Sequence, residues 1–423
     1  MTGHIFTGFG FGPIQAGLFV KEAFGSGNFS RIVVSEIDQT LVDAVRANKG
    51  SYYVNVAKAD GVDVQRINGV ELLNPSVPKD RRILLDALAQ STEIATCLPS
   101  INFYDNVEAL IAEGLKENGA KATIIYTAEN HNRAAEILEE TVTKKIGNLS
   151  HNKVQFLNTV IGKMSRVVDD PAEIAQLKLR TITPALNRSG SGRAFLVEEF
   201  NRILVTRTRI PDFKPGIEVF VEKDDLLPFE EAKLYGHNAI HSLLGFLGAV
   251  KGYTKMTEVK DDGDIMQIGR SAFLQESGGS LVKKYAKLKD ELFTKAGYKN
   301  YAEDLLTRMT NPYLADTVAR VCRDVVRKLG INERIFGTMQ LALEYGIEPK
   351  NMALGAIAGI AVLLDKAEEF NLPDDLRFTN WRKLDISGIE KILNWLWKGQ
   401  TCNYVRSIVQ CTQNAKEWLV NKI

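Results

Sequence analysis

The stretch that decides the fold is residues 4–17, His-Ile-Phe-Thr-Gly-Phe-Gly-Phe-Gly-Pro-Ile-Gln-Ala-Gly. The apolar run at its start predicts a strand, the glycines predict a tight turn, and the periodic apolar residues at 14–24 predict a helix. A second apolar run at 31–34 ends at Glu36 and completes a strand–helix–strand unit. This order of elements predicts the opening of a parallel sheet.

The rest of the chain divides into two regions of different pattern. Short apolar runs at 93–98 and 122–127 alternate with helical stretches, as a doubly wound sheet requires. Beyond the small, flexible residues of 186–193 the pattern is mostly helical, with a predicted buried helix at 352–364. We therefore predict an α/β fold, with an N-terminal Rossmann-type doubly wound sheet at 1–190 and a mostly α-helical C-terminal domain at 191–423.

The composition favours a protein that acts on a small molecule. The 423 residues suffice for two hydrophobic cores, and 53 Lys and Arg against 52 Asp and Glu leave no basic excess for nucleic acid or a membrane surface. The four cysteines lack the spacing of a zinc site or of a disulfide framework. These features predict a cytoplasmic protein without a bound metal, whereas the oligomeric state does not follow from the sequence.

The glycine turn predicts a dinucleotide site, because glycines let the backbone approach a pyrophosphate and the helix start supplies N–H groups. Gln15 stands where the usual fingerprint has its third glycine, so the motif is weak by itself. Glu36 strengthens it, since a carboxylate after the second strand accepts the ribose hydroxyls and favours NAD over NADP. A plain glycine-rich turn with a solvated Glu36 is the alternative. The predicted cofactor-binding residues are Gly8, Gly10, Gly12, Pro13, Ile14, Gln15 and Glu36.

The most informative stretch of the second region is residues 233–241, Lys-Leu-Tyr-Gly-His-Asn-Ala-Ile-His. On an α-helix, Lys233, Asn238 and His241 would address one pocket. A buried lysine with a lowered pKa accepts a hydroxyl proton during alcohol oxidation without any metal. From the spacing alone, a solvated Lys233 and a hydrogen-bonded core histidine at 241 are an equally good interpretation.

This stretch, followed by Ser-Leu-Leu-Gly-Phe-Leu-Gly at 242–248, resembles the signature of the polyol-specific long-chain dehydrogenase/reductase family. The resemblance implies that Lys233 is the general acid/base, that Asn238 belongs to an oxyanion-stabilising pair and that His241 contacts the substrate. The Glu-Asn dipeptide that ends at Asn130 is similar to the family's second asparagine site, so Asn130 completes the pair. Glu230 is either a proton relay to water or a surface carboxylate.

Three further stretches, at 275–285, 311–320 and 327–346, resemble a branch of this family that acts on a phosphorylated hexitol. The resemblance implies reversible hydride transfer between mannitol 1-phosphate and NAD to give fructose 6-phosphate, with this small-molecule substrate as the only implied partner. A phosphorylated substrate requires fixed cations, and helical spacing gathers four of them on one side. These predicted substrate-binding residues are Arg320, Arg323, Arg327 and Lys328.

Some features leave alternatives open. A salt-bridged face that includes Asp316 and Asp324 is the other interpretation of Arg323 and Arg327. Residues 161–166 depart from the family pattern by two extra residues and a missing aspartate, and the resemblance ends near residue 360. The alternatives for function are a related NAD-dependent dehydrogenase for an unphosphorylated hexitol or a hexuronate, and a non-catalytic NAD-binding protein.

Overall fold

The computed structural model describes residues 3–118, 121–147, 153–184 and 192–422. The chain forms two compact units, Met1–Leu227 and Pro228–Ile423. The predicted boundary between residues 190 and 191, with most of the predicted linker, lies outside the described residues. The N-terminal unit continues beyond that position, because the strands between residues 194 and 223 pair with its sheets.

The N-terminal unit is built from strands and helices in alternation. Its strands are β1 His4–Phe9, β2 Phe29–Ser35, β3 Tyr52–Ala57, β4 Val62–Ile67, β5 Val70–Leu73, β6 Glu93–Thr96, β7 Thr123–Thr127, β8 Val154–Val160, β9 Ser165–Val168, β10 Ala194–Glu198, β11 Leu204–Thr206 and β12 Val221–Lys223. Its helices are α1 Val20–Ser26, preceded by a π-helical segment Gln15–Phe19, and α2 Gln39–Ala47, α3 Pro78–Gln90, α4 Glu108–Glu117, α5 Ala134–Ile146 and α6 Pro171–Gln176, with a 3₁₀ segment Ile101–Asn106.

The larger sheet confirms the predicted doubly wound fold. Its strands follow the order β12-β11-β8-β7-β6-β1-β2-β5. The six strands from β8 to β5 are parallel, and their order reverses between β1 and β6. Ligands of open α/β sheets bind outside the carboxyl ends of the strands at such a reversal, so the glycine turn after β1 lies at the expected place.

A second sheet, with the order β4-β3-β10-β9, was not predicted from the sequence. It packs against the first helical segment of the same unit, where the Tyr52 hydroxyl donates a hydrogen bond to the Ala16 carbonyl at 2.7 Å. A Cβ on Gly17 would lie 2.6 Å from the Val197 side chain of β10. This sheet therefore fixes the helix that follows the glycine turn.

The C-terminal unit is helical throughout its described part, as predicted. Its α-helices are α7 Leu227–Glu231, α8 Ala239–Val250, α9 Met256–Asp261, α10 Gly263–Ser271, α11 Gly278–Lys284, α12 Lys295–Met309, α13 Val318–Val321, α14 Val325–Lys328, α15 Arg334–Glu344, α16 Lys350–Asp365, α17 Ile386–Leu396 and α18 Val405–Val420. Two π-helical segments, Ala232–Asn238 and Ala272–Ser277, lie between α-helices, and short 3₁₀ turns occupy Ala286–Leu288, Glu291–Phe293, Pro312–Leu314, Asp374–Leu376 and Trp381–Lys383.

Helix α16 forms the centre of this unit, which confirms the predicted buried helix. All of its residues from Asn351 to Leu364 are buried. Its first turn is held by the buried carboxylate of Glu276, which accepts hydrogen bonds from the Asn351 and Met352 backbone N–H groups at 2.8 Å each. Among the described residues, no helix has both the length and the apolar character that crossing a bilayer requires.

Candidate active site

Two glycines shape the turn after β1. Gly10 has a φ of +78°, and a Cβ there would lie 2.8 Å from the Cys97 carbonyl oxygen, so the position requires glycine. A Cβ on Gly12, in contrast, would meet no atom within 4 Å. The turn is therefore closed against the sheet at Gly10 and open at Gly12, which is where a pyrophosphate would need room. Pro13 and Ile14 begin the helical turn that follows.

Gln15 does not occupy the place of a third glycine in the way the fingerprint assumes. Its side chain is fully buried over Gly8, where a Cβ on the glycine would lie 1.7 Å from the Gln15 Nε2 atom. The close contact between helix and sheet that a third glycine normally permits occurs instead at Gly17. This role of Gly17 is not among the sequence predictions, and the signal for it in the sequence is a glycine five positions after Gly12.

Glu36 follows β2 and lies against the glycine turn. Its carboxylate accepts hydrogen bonds from the Phe11 N–H at 2.7 Å and from the Asp38 N–H at 2.9 Å. An acidic side chain at this position is the usual acceptor for the adenosine ribose hydroxyls of NAD. The open Gly12 and the adjacent Glu36 carboxylate therefore fit a nicotinamide dinucleotide.

Asn130 lies after β7 in the N-terminal unit and is exposed. The residue before it, Glu129, is buried and accepts hydrogen bonds from the Tyr104 hydroxyl at 2.6 Å, the Leu98 N–H at 2.8 Å and the Thr96 hydroxyl at 2.9 Å. These bonds tie the end of β7 to the segment that follows β6. The Glu-Asn dipeptide thus consists of a buried anchor and an exposed amide.

The other three catalytic candidates lie in the C-terminal unit, and the predicted α-helix is wrong for part of their stretch. Lys233 and Asn238 belong to the π-helical segment Ala232–Asn238, and His241 lies in the first turn of α8. A π-helix closes its hydrogen bonds between residues five apart, so Lys233 and Asn238 lie closer to one face than in an α-helix. Such segments are rare and occur often at functional sites.

The surroundings of Lys233 favour its neutral amine. Burial and, to a lesser extent, the positive charge of Arg334 lower its pKa to about 8, although the Glu230 carboxylate partly opposes them. His237, which the sequence analysis gave no role, is buried one turn away. Burial and neighbouring positive charges, His241 first among them, hold the pKa of His237 well below its usual value. The segment therefore carries two groups whose surroundings disfavour their charged forms.

His241 is oriented toward a buried carboxylate that the sequence analysis considered only as part of a charged surface. The His241 Nε2 atom lies 3.4 Å from Asp316 Oδ2. Arg320 holds the same carboxylate in two hydrogen bonds, from Nε at 2.5 Å and from Nη2 at 2.6 Å. Burial alone would raise the pKa of Asp316, but His241 and Arg320 outweigh it and keep the pKa well below the usual range.

The four basic residues do not share one helix, so the spacing argument that gathered them is wrong. The helix is interrupted at Asp324, whose φ is +54°, and α14 starts again at Val325. Arg323 is exposed. Arg327 is also exposed, and its guanidinium lies 3.5 Å from the Asp324 carboxylate. Lys328, in contrast, is buried and donates a hydrogen bond to the Val321 carbonyl at 2.5 Å.

Residues 161–166, which depart from the family pattern, have a structural role within the N-terminal unit. Lys163 is buried and donates hydrogen bonds to the carbonyl groups of Glu198 and, at 2.7 Å, of Phe200. The Met164 N–H donates to the Glu198 carboxylate at 2.6 Å. This segment therefore connects the end of β8 to the end of β10.

The C-terminal unit resembles a known family. Residues 225–405 match the family described as mannitol dehydrogenase C-terminal domain, and the match reaches well past residue 360. The chain is 27% identical over 355 residues to the mannitol-1-phosphate 5-dehydrogenase of Buchnera aphidicola subsp. Acyrthosiphon pisum (strain APS), covering 83% of this chain and 84% of that protein. The protein of strain 5A of the same organism, which has the same name, is 27% identical over 358 residues, with the same coverage of 83% and 84%.

Two solved structures share the fold. Pseudomonas fluorescens mannitol 2-dehydrogenase, determined as a ternary complex with NAD and D-mannitol, superposes with a TM-score of 0.69 at 16% identity, covering 100% of this chain and 92% of that one. A D-sorbitol dehydrogenase in substrate-free form superposes with a TM-score of 0.77 at 15% identity, covering 99% and 94%. Both comparisons agree with the predicted combination of a doubly wound sheet and a helical region.

Proposed function

We propose that this chain, whose residues 225–405 belong to the mannitol dehydrogenase C-terminal domain family, transfers hydride reversibly between mannitol 1-phosphate and NAD to give fructose 6-phosphate. The observation that carries the proposal is the π-helical segment in which Lys233 has a pKa of about 8, followed by His241 beside the Asp316 carboxylate. We also propose that it is a cytoplasmic enzyme that needs no metal.

The residues of the site have distinct parts in this reaction. NAD, when bound, supplies the acceptor for the hydride. The neutral amine of Lys233 accepts the proton of the hydroxyl group that is oxidised and returns it in the reverse direction. The amide groups of Asn238 and Asn130 stabilise the developing negative charge on that oxygen. His241, oriented by Asp316, holds a neighbouring hydroxyl group.

The preference for a phosphorylated hexitol rests on two supports. The Buchnera relatives named mannitol-1-phosphate 5-dehydrogenase align over 83% of this chain. The C-terminal unit also supplies basic side chains, among which we propose Arg320 and Lys328 as contacts to the hydroxyl groups and Arg323 and Arg327 as contacts to the phosphate.

The substrate proposal is tested by measuring NAD reduction with mannitol 1-phosphate and with mannitol, and NADH oxidation with a hexuronate, at matched concentrations. We expect kcat/KM for mannitol 1-phosphate to exceed that for mannitol by about 100-fold or more, because charged hydrogen bonds to a phosphate are each worth roughly 1.5–3 kcal/mol. Faster turnover of an unphosphorylated substrate would overturn the proposed substrate. Binding of NADH, followed by fluorescence, without turnover of any of these compounds would identify a non-catalytic protein.

The lowered pKa of Lys233 predicts the pH dependence of the reaction. Alcohol oxidation needs the neutral amine, so kcat/KM should rise with pH and level off above about 8. Ketose reduction needs the ammonium form, so its kcat/KM should fall as the pH rises through about 8. Initial rates in both directions between about pH 6 and pH 10 measure this, since kcat/KM reports groups of the free enzyme. Parallel profiles in the two directions would contradict the role of Lys233.

Glu36 is proposed to select NAD. We expect Glu36→Gln to raise the KM for NAD by about 10-fold, because a charged hydrogen-bond acceptor for the ribose hydroxyls is lost. The same change should lower the ratio of kcat/KM for NAD to kcat/KM for NADP, because the Glu36 carboxylate no longer repels the 2′-phosphate of NADP. Glu117→Gln, an exposed position on α4, is the matched control. An unchanged ratio of kcat/KM for NAD and NADP in Glu36→Gln would exclude this role.

A further inference from the structure

Arg334 is an arginine whose position the proposed function does not yet explain. It is the first residue of α15 and is partly buried. Its Nε atom is buried and has no hydrogen-bond partner among the described residues. An arginine at the N-terminus of a helix also faces the positive end of the helix dipole, which disfavours a cation. Both features are unfavourable unless an anion binds there.

The start of α15 packs directly on the π-helical segment that carries Lys233. A Cβ on Gly337 would lie 2.6 Å from the ring of Tyr235, so only glycine permits the observed approach. The Thr338 hydroxyl lies 3.3 Å from the Tyr235 carbonyl oxygen, and the Tyr235 hydroxyl lies 3.5 Å from the Asn332 carbonyl oxygen. These contacts on both sides of Arg334 fix its backbone beside the catalytic segment.

Arg334 therefore belongs to a group of cations around the proposed site. Besides burial, its charge lowers the pKa values of both Lys233 and Lys328 to about 8. The carboxylates of Glu333 and Asp324 offset this charge only in part, because the pKa of Arg334 is still lowered to about 10. Asp324 and Glu333 lie 3.5 Å and 3.9 Å from the guanidinium group of Arg327 and are shared with it.

We propose that Arg334 binds the phosphate group of the substrate and thereby distinguishes a phosphorylated hexitol from a free one. A guanidinium group offers several N–H donors in one plane and matches the oxygens of a phosphate. A phosphate ligand would accept hydrogen bonds from the guanidinium group and would relieve the repulsion among Arg334, Lys233 and Lys328. This inference rests on the proposed function, and it adds Arg334, a residue outside the 320–328 segment, as the main phosphate contact beside those proposed at Arg323 and Arg327.

The test compares Arg334→Gln with the double variant Arg323→Gln/Arg327→Gln and with Arg406→Gln, an exposed arginine on α18 that serves as the control. For Arg334→Gln we expect the KM for mannitol 1-phosphate to rise on the order of 10–100-fold. The ratio of kcat/KM for mannitol 1-phosphate to kcat/KM for mannitol should fall by a similar factor, because any change in the pKa of Lys233 affects both substrates equally. If Arg334 had only a structural role, its replacement would change kcat/KM for mannitol 1-phosphate and for mannitol by the same factor. An unchanged KM for mannitol 1-phosphate in Arg334→Gln, or a selective loss only in the double variant, would overturn the inference.

A binding measurement separates this inference from the proposed reaction. Inorganic phosphate should raise the melting temperature of the unmodified protein and of Arg406→Gln, but not that of Arg334→Gln. If the unmodified protein does not oxidise mannitol 1-phosphate, the proposed function fails, whereas the phosphate-dependent shift still tests the anion site. Should Arg334→Gln not fold, Arg334→Lys, which keeps the charge but not the planar donor set, is expected to show a weakened shift; a full shift would contradict the inference.

Discussion

Replacing Lys233 by alanine is expected to lower kcat on the order of 10²–10⁴-fold, the usual contribution of a positioned general acid or base. The reason lies in the surroundings of the amine. Burial and the charge of Arg334 lower its pKa to about 8, so the neutral amine that can accept a proton is far more abundant near physiological pH than in an ordinary lysine. No other side chain of the π-helical segment offers the same chemistry, since His237 is buried and its pKa is held well below the usual range.

The measurement is single-turnover or steady-state reduction of NAD, together with the affinity for NADH from fluorescence. NADH affinity should remain near that of the unmodified protein, because the proposed dinucleotide contacts lie in the glycine turn and at Glu36. Lys391→Ala, at an exposed position on α17, provides the control. A Lys233→Ala variant that retains most of its activity would remove the lysine mechanism, and loss of NADH binding would indicate a structural defect instead.

The N-terminal sheet was predictable because each of its first strands has a recognisable pattern within a short stretch of sequence. The apolar run of β1, the glycine turn and Glu36 after β2 are contiguous in sequence, and together they predicted the parallel core that the structure contains. The second sheet was not predictable in this way. Its strand β3 pairs with β10, more than a hundred residues later, and such non-local pairing leaves no periodic signal within a short window.

The sequence indicated which residues of the segment 232–241 form the proposed catalytic group, but not how the segment is wound. Lys233 and His241 were chosen from their spacing and from a family resemblance, yet an α-helical wheel gave the wrong winding because a π-helix has no recognisable pattern in one sequence. In the same way, the positive φ at Asp324 breaks the helix that the basic residues were assumed to share. Both departures are set by tertiary packing, which overrides local propensity.

The buried carboxylate beside His241 could not be predicted from the sequence either. In the sequence, Asp316 enters only through the alternative interpretation of Arg323 and Arg327 as part of a salt-bridged face. Its actual environment depends on His241, which lies 75 positions earlier in the chain. A single sequence gives no signal for such a pairing, whereas the structure shows one carboxylate that accepts two hydrogen bonds from a guanidinium group and lies 3.4 Å from an imidazole nitrogen.

Asp316→Asn should therefore lower both the stability of the protein and its kcat/KM, although Asp316 lies far from Lys233 in the sequence. The change keeps the volume but removes the charge that Arg320 binds at 2.5 Å and 2.6 Å. Breaking a buried pair by removing one partner costs roughly 3–5 kcal/mol, and the partial exposure of Arg320 reduces this to about 2–3 kcal/mol. Because Arg320 and His241 lose their common anchor, kcat/KM for mannitol 1-phosphate should fall by about 100-fold as well.

Urea unfolding at several pH values separates the contribution of the Asp316 charge to stability from the contribution of its packing. The pKa of Asp316 is lower in the folded chain than in the unfolded one, so its stabilising effect is complete above the unfolded value of about 3.9 and is lost as the pH falls toward the folded value. The difference in the free energy of unfolding between the unmodified protein and Asp316→Asn should accordingly be largest near neutral pH and decrease below about pH 4. Asp374→Asn, whose carboxylate is 95% exposed and 3.5 Å from Arg377, should change stability by less than about 0.5 kcal/mol. A difference for Asp316→Asn that stays constant with pH would mean that its side chain contributes through packing rather than through its ionised form.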